Sequence, residues 1–318
     1  MFYSIRHVTR FQYNSPVSES IMETRMHPRN EGTQRCTTFQ LSVSPSARVM
    51  SYRDYLGNVV HHFDVPGQHT KLLIVAEAIV DLRPAPALPR ALHSSAWQEL
   101  EEQIHTGDYW EFLMPSQFAQ PSPLLRDLCD KLDVRRRDDP LSLLREVNAG
   151  LYHWFEYEPR RTRVDSPIDD ALRARTGVCQ DFAHVMIALV RGMRIPCRYV
   201  SGYLHHAAGD LTRSVDGATH AWVEALLPGL GWVGFDPTNN QLAGERHIRT
   251  AIGRDYADVP PTRGIFKGRA NSALSVNVRV DPSDTLAPED EELVMTENWS
   301  TYFSQDLDVD QQQAQQQQ

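Results

Sequence analysis

Apolar and polar residues alternate along the first 82 positions of the chain with the two-residue period of β-strands. The alternation is visible in the runs at residues 3–13, 39–43, 59–65 and 72–80, which turn-forming residues separate. Several short strands joined by turns are typical of a small β-sandwich. The pattern therefore predicts an N-terminal β-sandwich domain at residues 1–85, in which we see no catalytic constellation.

After a proline-rich linker at residues 84–89, the apolar spacing changes to the three- and four-residue steps of helices. A helix-start signal, in which a capping side chain is followed by proline at the first helical position, occurs at Ser122-Pro123, Asp139-Pro140 and Ser166-Pro167. We expect a helical lead-in at residues 90–160, followed by a short helix that leads the chain to Cys179.

The next helix is predicted to begin at Cys179. Gly177 breaks regular structure just before it, and good helix formers follow as far as Gly192. Apolar residues cover most sides of this helix, which predicts a central, buried position. At a helix N-terminus the unpaired N–H groups and the helix dipole favour a thiolate, and the Cys179 backbone N–H could hold a developing oxyanion. Cys179 is therefore a candidate nucleophile.

Two strand-like segments supply a base and an orienting acid for this nucleophile. They carry His220 and Asp236, and they flank a turn signal at residues 227–231. A hairpin centred on position 228 places the two side chains directly opposite each other on one face of the sheet, although a slip of one residue would separate them. The arrangement predicts Cys179 as nucleophile, His220 as base and Asp236 as the group that orients the imidazole.

Several stretches of the chain resemble the bacterial branch of the transglutaminase-like superfamily, a relative of the papain-like fold. They are Gly177-Val178-Cys179-Gln180-Asp181-Phe182-Ala183-His184, Tyr199-Val200-Ser201-Gly202-Tyr203, His220-Ala221-Trp222-Val223-Glu224 and Phe235-Asp236-Pro237-Thr238. The likeness is firm over residues 140–240, and the β-region at the start resembles the one that precedes this core in bacterial members. It implies an α+β fold with a transglutaminase-like catalytic domain at residues 86–280. In its core, residues 161–240, the catalytic helix packs on an antiparallel sheet.

Further site residues are implied around the triad. Tyr157 matches an aromatic position of the family just upstream and is a candidate second oxyanion donor. Gln180, Asp181 and His184 follow the cysteine on the catalytic helix and are candidate supporting residues. Because polar groups near a core need partners, Asp181 and His184 either position the cysteine turn and its neighbouring loop or form a structural pair.

Charge narrows the classes of function. The net charge is −9 over 318 residues, but residues 281–310 contain ten acids and no Lys or Arg. Removing those ten charges leaves the rest of the chain at +1, so we expect no basic face for nucleic acid. The acidic segment and the Gln-rich end that follows predict a disordered tail over residues 281–318.

Cysteine usage and hydropathy add expectations about location. Cys36, Cys129 and Cys197 show no metal-binding or redox spacing and are expected to be inert. The apolar runs are too short for a bilayer, and the first residues lack the pattern of a secretory signal. We therefore expect a cytoplasmic protein with no membrane partner, and the triad chemistry calls for no cofactor and no metal.

The predicted activity is cysteine-dependent acyl transfer from an amide bond of a peptide or protein substrate. Release of the acyl group by water makes the enzyme a peptidase or amidase, and release by an amine makes it a transglutaminase. We favour hydrolysis because a polar loop at residues 205–217 and a charged loop at residues 254–263 are expected to leave the cleft mouth wet.

Two other classes of protein fit parts of the pattern. A metallohydrolase would use His220, Glu224 and a loop histidine. The first two are four steps apart on one strand face, about 13 Å at ~3.3 Å per residue, which is too far to share an ion. A non-catalytic binding module could keep the fold, but the presence of Cys179, His220 and Asp236 together argues against it.

Overall fold

The computed structural model describes residues 1–159, 161–207, 209 and 212–283. Its helices and strands, in chain order, are β1 (Phe2–Thr24), β2 (Gln34–Ser44), β3 (Val49–Arg53), β4 (Val59–Leu82), α1 (Ala96–Thr106), α2 (Pro123–Lys131), α3 (Pro140–Trp154), β5 (Glu156–Tyr157), α4 (Ile168–Ala174), β6 (Thr176–Gly177), α5 (Cys179–Gly192), β7 (Cys197–Leu204), β8 (His220–Leu227), β9 (Gly231–Asp236), β10 (Gln241–Leu242), β11 (His247–Gly253), β12 (Thr262–Lys267) and β13 (Ser272–Ser283). Short 3-10 helices lie at Trp110–Phe112 and Tyr256–Asp258.

The chain forms two compact units. The N-terminal unit contains Met1–Arg83, Asp216–Ala218 and the described residues after 260. The second unit, named the catalytic unit after the domain predicted for it, contains Pro84–Val215 and Thr219–Pro260. The fold is α+β with antiparallel main sheets, as the sequence predicts. Within the described residues, no helix is both long and apolar enough to cross a membrane.

The N-terminal unit is rich in strands, which confirms the prediction for this part of the chain. Its strands join in one six-stranded sheet, because β1 and β4, 23 and 24 residues long, pair with each other and with partners on both outer sides. One side of β1 is completed by β12 and β13.

The pairing of β13 corrects the expected domain boundary at residue 280. Phe2 lies opposite Ser283 and Tyr13 opposite Ser272, so the last described strand belongs to the N-terminal unit and not to the catalytic one. Alternation of apolar and polar residues along a strand carries no information on which sheet edge that strand completes. Of the expected disordered tail, residues 284–318 lie outside the described residues.

Helix starts in the catalytic unit follow two of the three predicted signals. The Ser122 hydroxyl accepts a hydrogen bond from the Leu125 N–H at 3.1 Å, and the Asp139 carboxylate accepts from the N–H groups of Leu141 and Ser142 at 3.0 and 3.1 Å. These caps fix the starts of α2 and α3.

The third signal is wrong about the capping residue. Helix α4 begins at Ile168 after Pro167 and has no side-chain cap. The Ser166 hydroxyl instead accepts a hydrogen bond from the Arg163 N–H in the preceding turn, at 3.0 Å. Local side-chain to backbone bonds of this kind compete with capping.

Helix α5 is the centre of the catalytic unit. Nearly all of its residues are buried, and it packs on β7 and β8 of a five-stranded antiparallel sheet with the order β10-β9-β8-β7-β11. Its apolar residues Phe182, Val185, Met186 and Leu189 belong to the same hydrophobic core as Val223 of the sheet. The predicted buried helix on an antiparallel sheet is therefore observed.

Candidate active site

The nucleophile candidate Cys179 is the first residue of α5, and its thiol-bearing side chain is buried. The turn before it is held by Asp181, whose carboxylate accepts hydrogen bonds from the Val178 N–H at 2.8 Å and from the Thr162 hydroxyl at 2.5 Å. A Cβ atom at Gly177 would lie 2.7 Å from the Asp181 carboxylate, so only glycine fits there. The sequence break at Gly177 thus has a steric cause.

The hairpin that carries His220 and Asp236 has a register two residues from the predicted one. Leu227 pairs with Gly231 and Val223 with Phe235, which centres the hairpin on position 229. Continuing this register places Asp236 across from Trp222, so the prediction of a directly opposite pair is wrong. A shift of two residues leaves the side chains on the same face, because strand faces alternate with a period of two. His220 and Asp236 are therefore diagonal neighbours.

The two side chains nevertheless meet. His220 Nε2 lies 2.8 Å from Asp236 Oδ2, and both residues are buried. A carboxylate oxygen only accepts, so Nε2 carries the proton of this bond. The other ring nitrogen, Nδ1, has no conventional hydrogen-bond partner among the residues that the structure describes. The Cys179 side chain also interacts with this ring, which packs beside the rings of Trp222 and His247.

Electrostatics favour a charged His220 ring. Burial alone would lower the pKa of His220, but attraction and hydrogen bonding to Asp236, with a contribution from Cys179, outweigh it and raise the pKa to about 10. Burial would likewise raise the pKa of Asp236, but His220 and His247 hold it well below its usual range. The pair therefore stabilises an imidazolium next to the cysteine.

Asp236 is held by a set of donors that the sequence interpretation missed. Its Oδ1 accepts from the backbone N–H groups of Thr238 and Asn239 at 3.1 and 3.3 Å, and its Oδ2 accepts from the side-chain amide of Asn239 at 2.8 Å and that of Gln241 at 3.4 Å. The backbone bonds follow the habit of an Asp that starts a turn, so the run after Asp236 contained a usable signal.

A second histidine also reaches Asp236. His247 at the start of β11 places Nε2 3.2 Å from Asp236 Oδ2 and is buried. Burial, only partly opposed by the bond to Asp236, lowers the pKa of His247. No sequence signal links positions 236 and 247, because the contact depends on how the sheet brings β9 and β11 together.

The expected supporting residues hold the surroundings of the cysteine. The Gln180 side-chain amide donates to the Val164 carbonyl at 2.8 Å, and His184 Nε2 accepts from the Tyr256 N–H at 3.2 Å. Burial raises the pKa of Asp181 to about 6 and lowers that of His184 to about 4. His184 is thus neutral near pH 7. Each of these side chains anchors a neighbouring segment to α5.

Tyr157 lies on β5, which pairs in parallel with β6 and places Tyr157 beside Gly177. This brings it next to the turn that precedes Cys179. Its role as an oxyanion donor stays a prediction.

The charged loop expected to border the cleft packs inward instead. Asp255 is buried, and its carboxylate accepts from the N–H groups of Phe118 and Ala257, while the ring of Tyr256 is buried beside Tyr199. Asp255 and Tyr256 are therefore part of the core, so this loop gives less support to a water-exposed cleft mouth than the sequence suggests.

Glu224, the acid of the metallohydrolase alternative, is fully buried between two arginines. Its carboxylate accepts from Arg198 Nε at 2.8 Å and from Arg249 Nε on the other oxygen. A carboxylate engaged by two guanidinium groups is not a free metal ligand. His220, Asp236 and His247 do present ligand atoms within 4.8 Å of one another, a donor set that suits zinc. In this structure, however, the Nε2 atoms of both histidines lie at hydrogen-bond distance from Asp236 Oδ2.

Residues 3–81 match the bacterial transglutaminase-like N-terminal region, and residues 127–237 match the transglutaminase-like superfamily. An uncharacterised protein of Mycobacterium leprae (strain TN) is 32% identical over 275 residues, which are 86% of this chain and 96% of that protein. Another, from Mycobacterium tuberculosis (strain ATCC 25618 / H37Rv), is 34% identical over 296 residues, with coverage of 88% and 92%.

Two further matches are to proteins whose names state an activity. The protein-glutamine gamma-glutamyltransferase of Pseudomonas aeruginosa is 33% identical over 164 residues, 48% of this chain and 23% of that protein. A crystal structure from Cytophaga hutchinsonii, named as a candidate cysteine protease, has a TM-score of 0.68 at 23% identity and covers 90% of this chain and 92% of its own. The latter match concerns the fold.

Proposed function

Because the chain belongs to the transglutaminase-like superfamily, we propose that it is a cysteine-dependent acyl-transfer enzyme that acts on amide bonds. In this proposal Cys179 is the nucleophile, His220 the general base and acid, and Asp236 the residue that orients and charges the imidazole. The observation that carries the proposal is the buried bond from His220 Nε2 to Asp236 Oδ2 at 2.8 Å, with the other side of the ring turned to Cys179.

The first half-reaction follows from this geometry. The Cys179 thiol proton has passed to His220 Nδ1 in the thiolate–imidazolium pair that Asp236 supports, and the sulfur then bonds to the carbonyl carbon of the amide. The N–H groups at the start of α5 stabilise the negative oxygen that forms. The carbon–nitrogen bond then breaks, and His220 returns the proton to the leaving amine. A thioester on Cys179 remains.

The second half-reaction determines the class of enzyme. Water can attack the thioester, give a proton to His220 and release a free acid, or an amine can attack in the same way and form a new amide. We propose hydrolysis as the main outcome. The polar loop at residues 205–217, between β7 and His220, is expected to leave the mouth of the cleft open to water. Transfer to an amine is the second candidate, favoured by the similarity to a protein-glutamine gamma-glutamyltransferase.

Selective thiol chemistry tests the assignment of the nucleophile. Burial raises the pKa of Cys36 to about 11 and of Cys197 to about 12, and burial with nearby acids raises that of Cys129. Limiting iodoacetamide at neutral pH should therefore label Cys179 first, and His220→Ala should slow that labelling. Equal labelling of the other thiols, or unchanged labelling of Cys179 in His220→Ala, would contradict the proposal.

Product analysis separates hydrolysis from transfer. A glutamine-containing peptide is offered with and without an excess of a primary amine, and the products are followed by mass spectrometry, with Cys179→Ala as the control. Free acid in both reactions supports a hydrolase, and a predominant amine conjugate supports a transglutaminase.

Cytoplasmic location stays a prediction, which cell fractionation tests.

A further inference from the structure

Two histidines share one oxygen of Asp236. His220 from β8 and His247 from β11 both place Nε2 at hydrogen-bond distance from Asp236 Oδ2, at 2.8 and 3.2 Å. The proposed reaction uses His220 and leaves His247 without a role. His247 also lies beyond residues 127–237, the range that matches the superfamily.

The contact requires a curled sheet. Strands β10 and β11 are at opposite edges of the five-stranded sheet, and four strand spacings of about 4.8 Å would separate the edges by about 19 Å in a flat sheet. From Leu242 to His247 even an extended chain spans only about 18 Å. This connection is not extended, since the His247 N–H donates to the Gly244 carbonyl at 3.0 Å. The sheet edges must therefore approach each other.

A glycine on the intervening strand β7 allows this close approach of the sheet edges. Gly202 on β7 lies opposite Arg249 of β11 and opposite His220 of β8. A Cβ atom at Gly202 would lie 2.1 Å from the Ile248 carbonyl oxygen and 2.7 Å from the Trp222 ring. Trp222 fills this space and meets the His247 ring edge to face at 5.2 Å. His247 is thus fixed in place by packing.

The proton position on His247 follows from its other bond. Nδ1 accepts from the Gly244 N–H at 3.3 Å, so it has no proton of its own. A neutral ring then carries its proton on Nε2, the atom that points to Asp236. His247 is a neutral donor to the carboxylate, and His220 is the partner that carries charge.

We propose that His247 is a positioning residue for the acyl-transfer site. It donates a hydrogen bond that keeps Asp236 ionised and fixes the carboxylate plane, so that Oδ2 meets His220 Nε2 and Nδ1 stays turned to Cys179. The inference rests on the proposed function, because it assumes that the His220 ring activates Cys179.

Two variants that differ by one methylene test the role. The side-chain amide of His247→Gln reaches about as far as Nε2 and can donate to Asp236, whereas that of His247→Asn ends near the position of Nδ1 and cannot. The readout is the rate of Cys179 alkylation by iodoacetamide as a function of pH, mapped by mass spectrometry, with the thermal midpoint measured in parallel. This readout needs no knowledge of the substrate.

We expect His247→Asn to lower the alkylation rate near neutral pH about tenfold, the usual effect of a hydrogen bond to a charged group, and to move the rise of the profile to higher pH. His247→Gln should stay within about threefold of the native protein, well below the effect of a lost bond to a charge. Equal rates in the native protein and both variants would overturn the inference, as would equal losses in both variants that parallel the fall in thermal midpoint.

The His220→Ala variant separates the two levels of the argument. If His220→Ala alkylates as fast as the native protein, the proposed function fails. If His220→Ala is slow and His247→Asn is not, only the role of His247 fails. Faster alkylation of the native protein after treatment with EDTA would also overturn the inference, because His247 would then act as a metal ligand and not as a donor.

Discussion

Asp236 and Glu224 are both fully buried carboxylates on neighbouring strands of the catalytic unit, but they have different partners. Glu224 lies between Arg198 and Arg249, whose guanidinium groups stay charged at all physiological pH values. Asp236 lies between two histidines, whose charge depends on whether the ring binds one proton or two. Burial costs both carboxylates the same kind of desolvation energy. The difference shows that a buried charge indicates proton chemistry only when its partner can exchange a proton.

The pKa shifts follow the same division. Burial would raise the pKa of Glu224, but Arg198 and Arg249 reverse this and lower it. Because arginine stays protonated at physiological pH, this ion pairing transfers no proton. At Asp236 the stabilisation is mutual, since the carboxylate raises the pKa of His220 to about 10. Glu224 with Arg198 and Arg249 (the Glu224 cluster) serves the packing of the core. For Asp236 with its two histidines and its amide donors (the Asp236 cluster), the proposed role is catalytic.

The largest expected effect is on catalysis by the Asp236 cluster. Asp236→Asn removes the charge that supports the imidazolium and places an amide where an acceptor is needed, so turnover should fall on the order of a thousandfold or more. The measurement is the rate on the best amide substrate from a peptide and acyl-amide library, with the thermal midpoint confirming a folded sample. A loss of less than about tenfold would remove the distinction between the two clusters.

Glu224→Gln should show the opposite balance. Removing one partner leaves two arginines uncompensated in the interior, which costs about 3–5 kcal/mol of unfolding free energy, while the rate per folded molecule stays nearly unchanged. Urea denaturation gives the free energy. Glu77→Gln is the matched control, because its ion pair with Arg6 is exposed and worth at most about 1 kcal/mol. Similar stabilities for the two variants would contradict the prediction.

The pH dependence of stability should separate the clusters as well. The pKa of His220 is raised from 6.5 to about 10, so its contribution to stability is complete below pH 6.5 and is lost as the pH rises toward 10. We expect the unfolding free energy of the native protein to fall more steeply over this range than that of His220→Gln. Glu224→Gln should keep the native slope, because its arginine partners do not titrate there. Parallel slopes for the native protein and His220→Gln would refute this.

The smallest effect should come from the outermost donor of the Asp236 cluster. The Gln241 side chain lies 3.4 Å from Asp236 Oδ2, the longest of the contacts to that oxygen given above. Gln241→Leu should therefore reduce turnover only a few-fold, in line with the net worth of one ordinary hydrogen bond. If Gln241→Leu matched Asp236→Asn, the ranking of the donors by distance would be wrong.

Features set by neighbours in the chain could be predicted from the sequence. The caps at Ser122 and Asp139, the start of α5 at Cys179 and the shared face of His220 and Asp236 depend on spacings of a few residues. The hairpin centre was off by one position, which moves the register by two residues, because the turn residues Gly229 and Gly231 allow several tight connections. The prediction that both side chains share one face of the sheet was still correct, because a shift of two residues returns a strand residue to the same face.

Features set by sheet closure could not be predicted in this way. The contact of His247 with Asp236 depends on the curl of a five-stranded sheet, and the pairing of β13 with β1 depends on which edge is open at the end of folding. Periodicity describes a strand's faces but not its partners. Long-range contacts of this kind also explain why Asp255 and Tyr256 pack inward, although their charged and aromatic character suggested a cleft wall.

The pairing of β1 with β13 has a consequence for the order of folding during synthesis. Tyr13 finds its partner Ser272 only 259 residues later, which at typical translation rates is a delay of roughly 10–50 seconds. The catalytic unit lies almost wholly between these two segments and is complete by Pro260. It can therefore fold on the ribosome while one side of β1 still has unpaired backbone groups, and such exposed edges are where misassembly and aggregation begin. We therefore expect this chain to be most exposed to misassembly in the interval before its final described strand is synthesised.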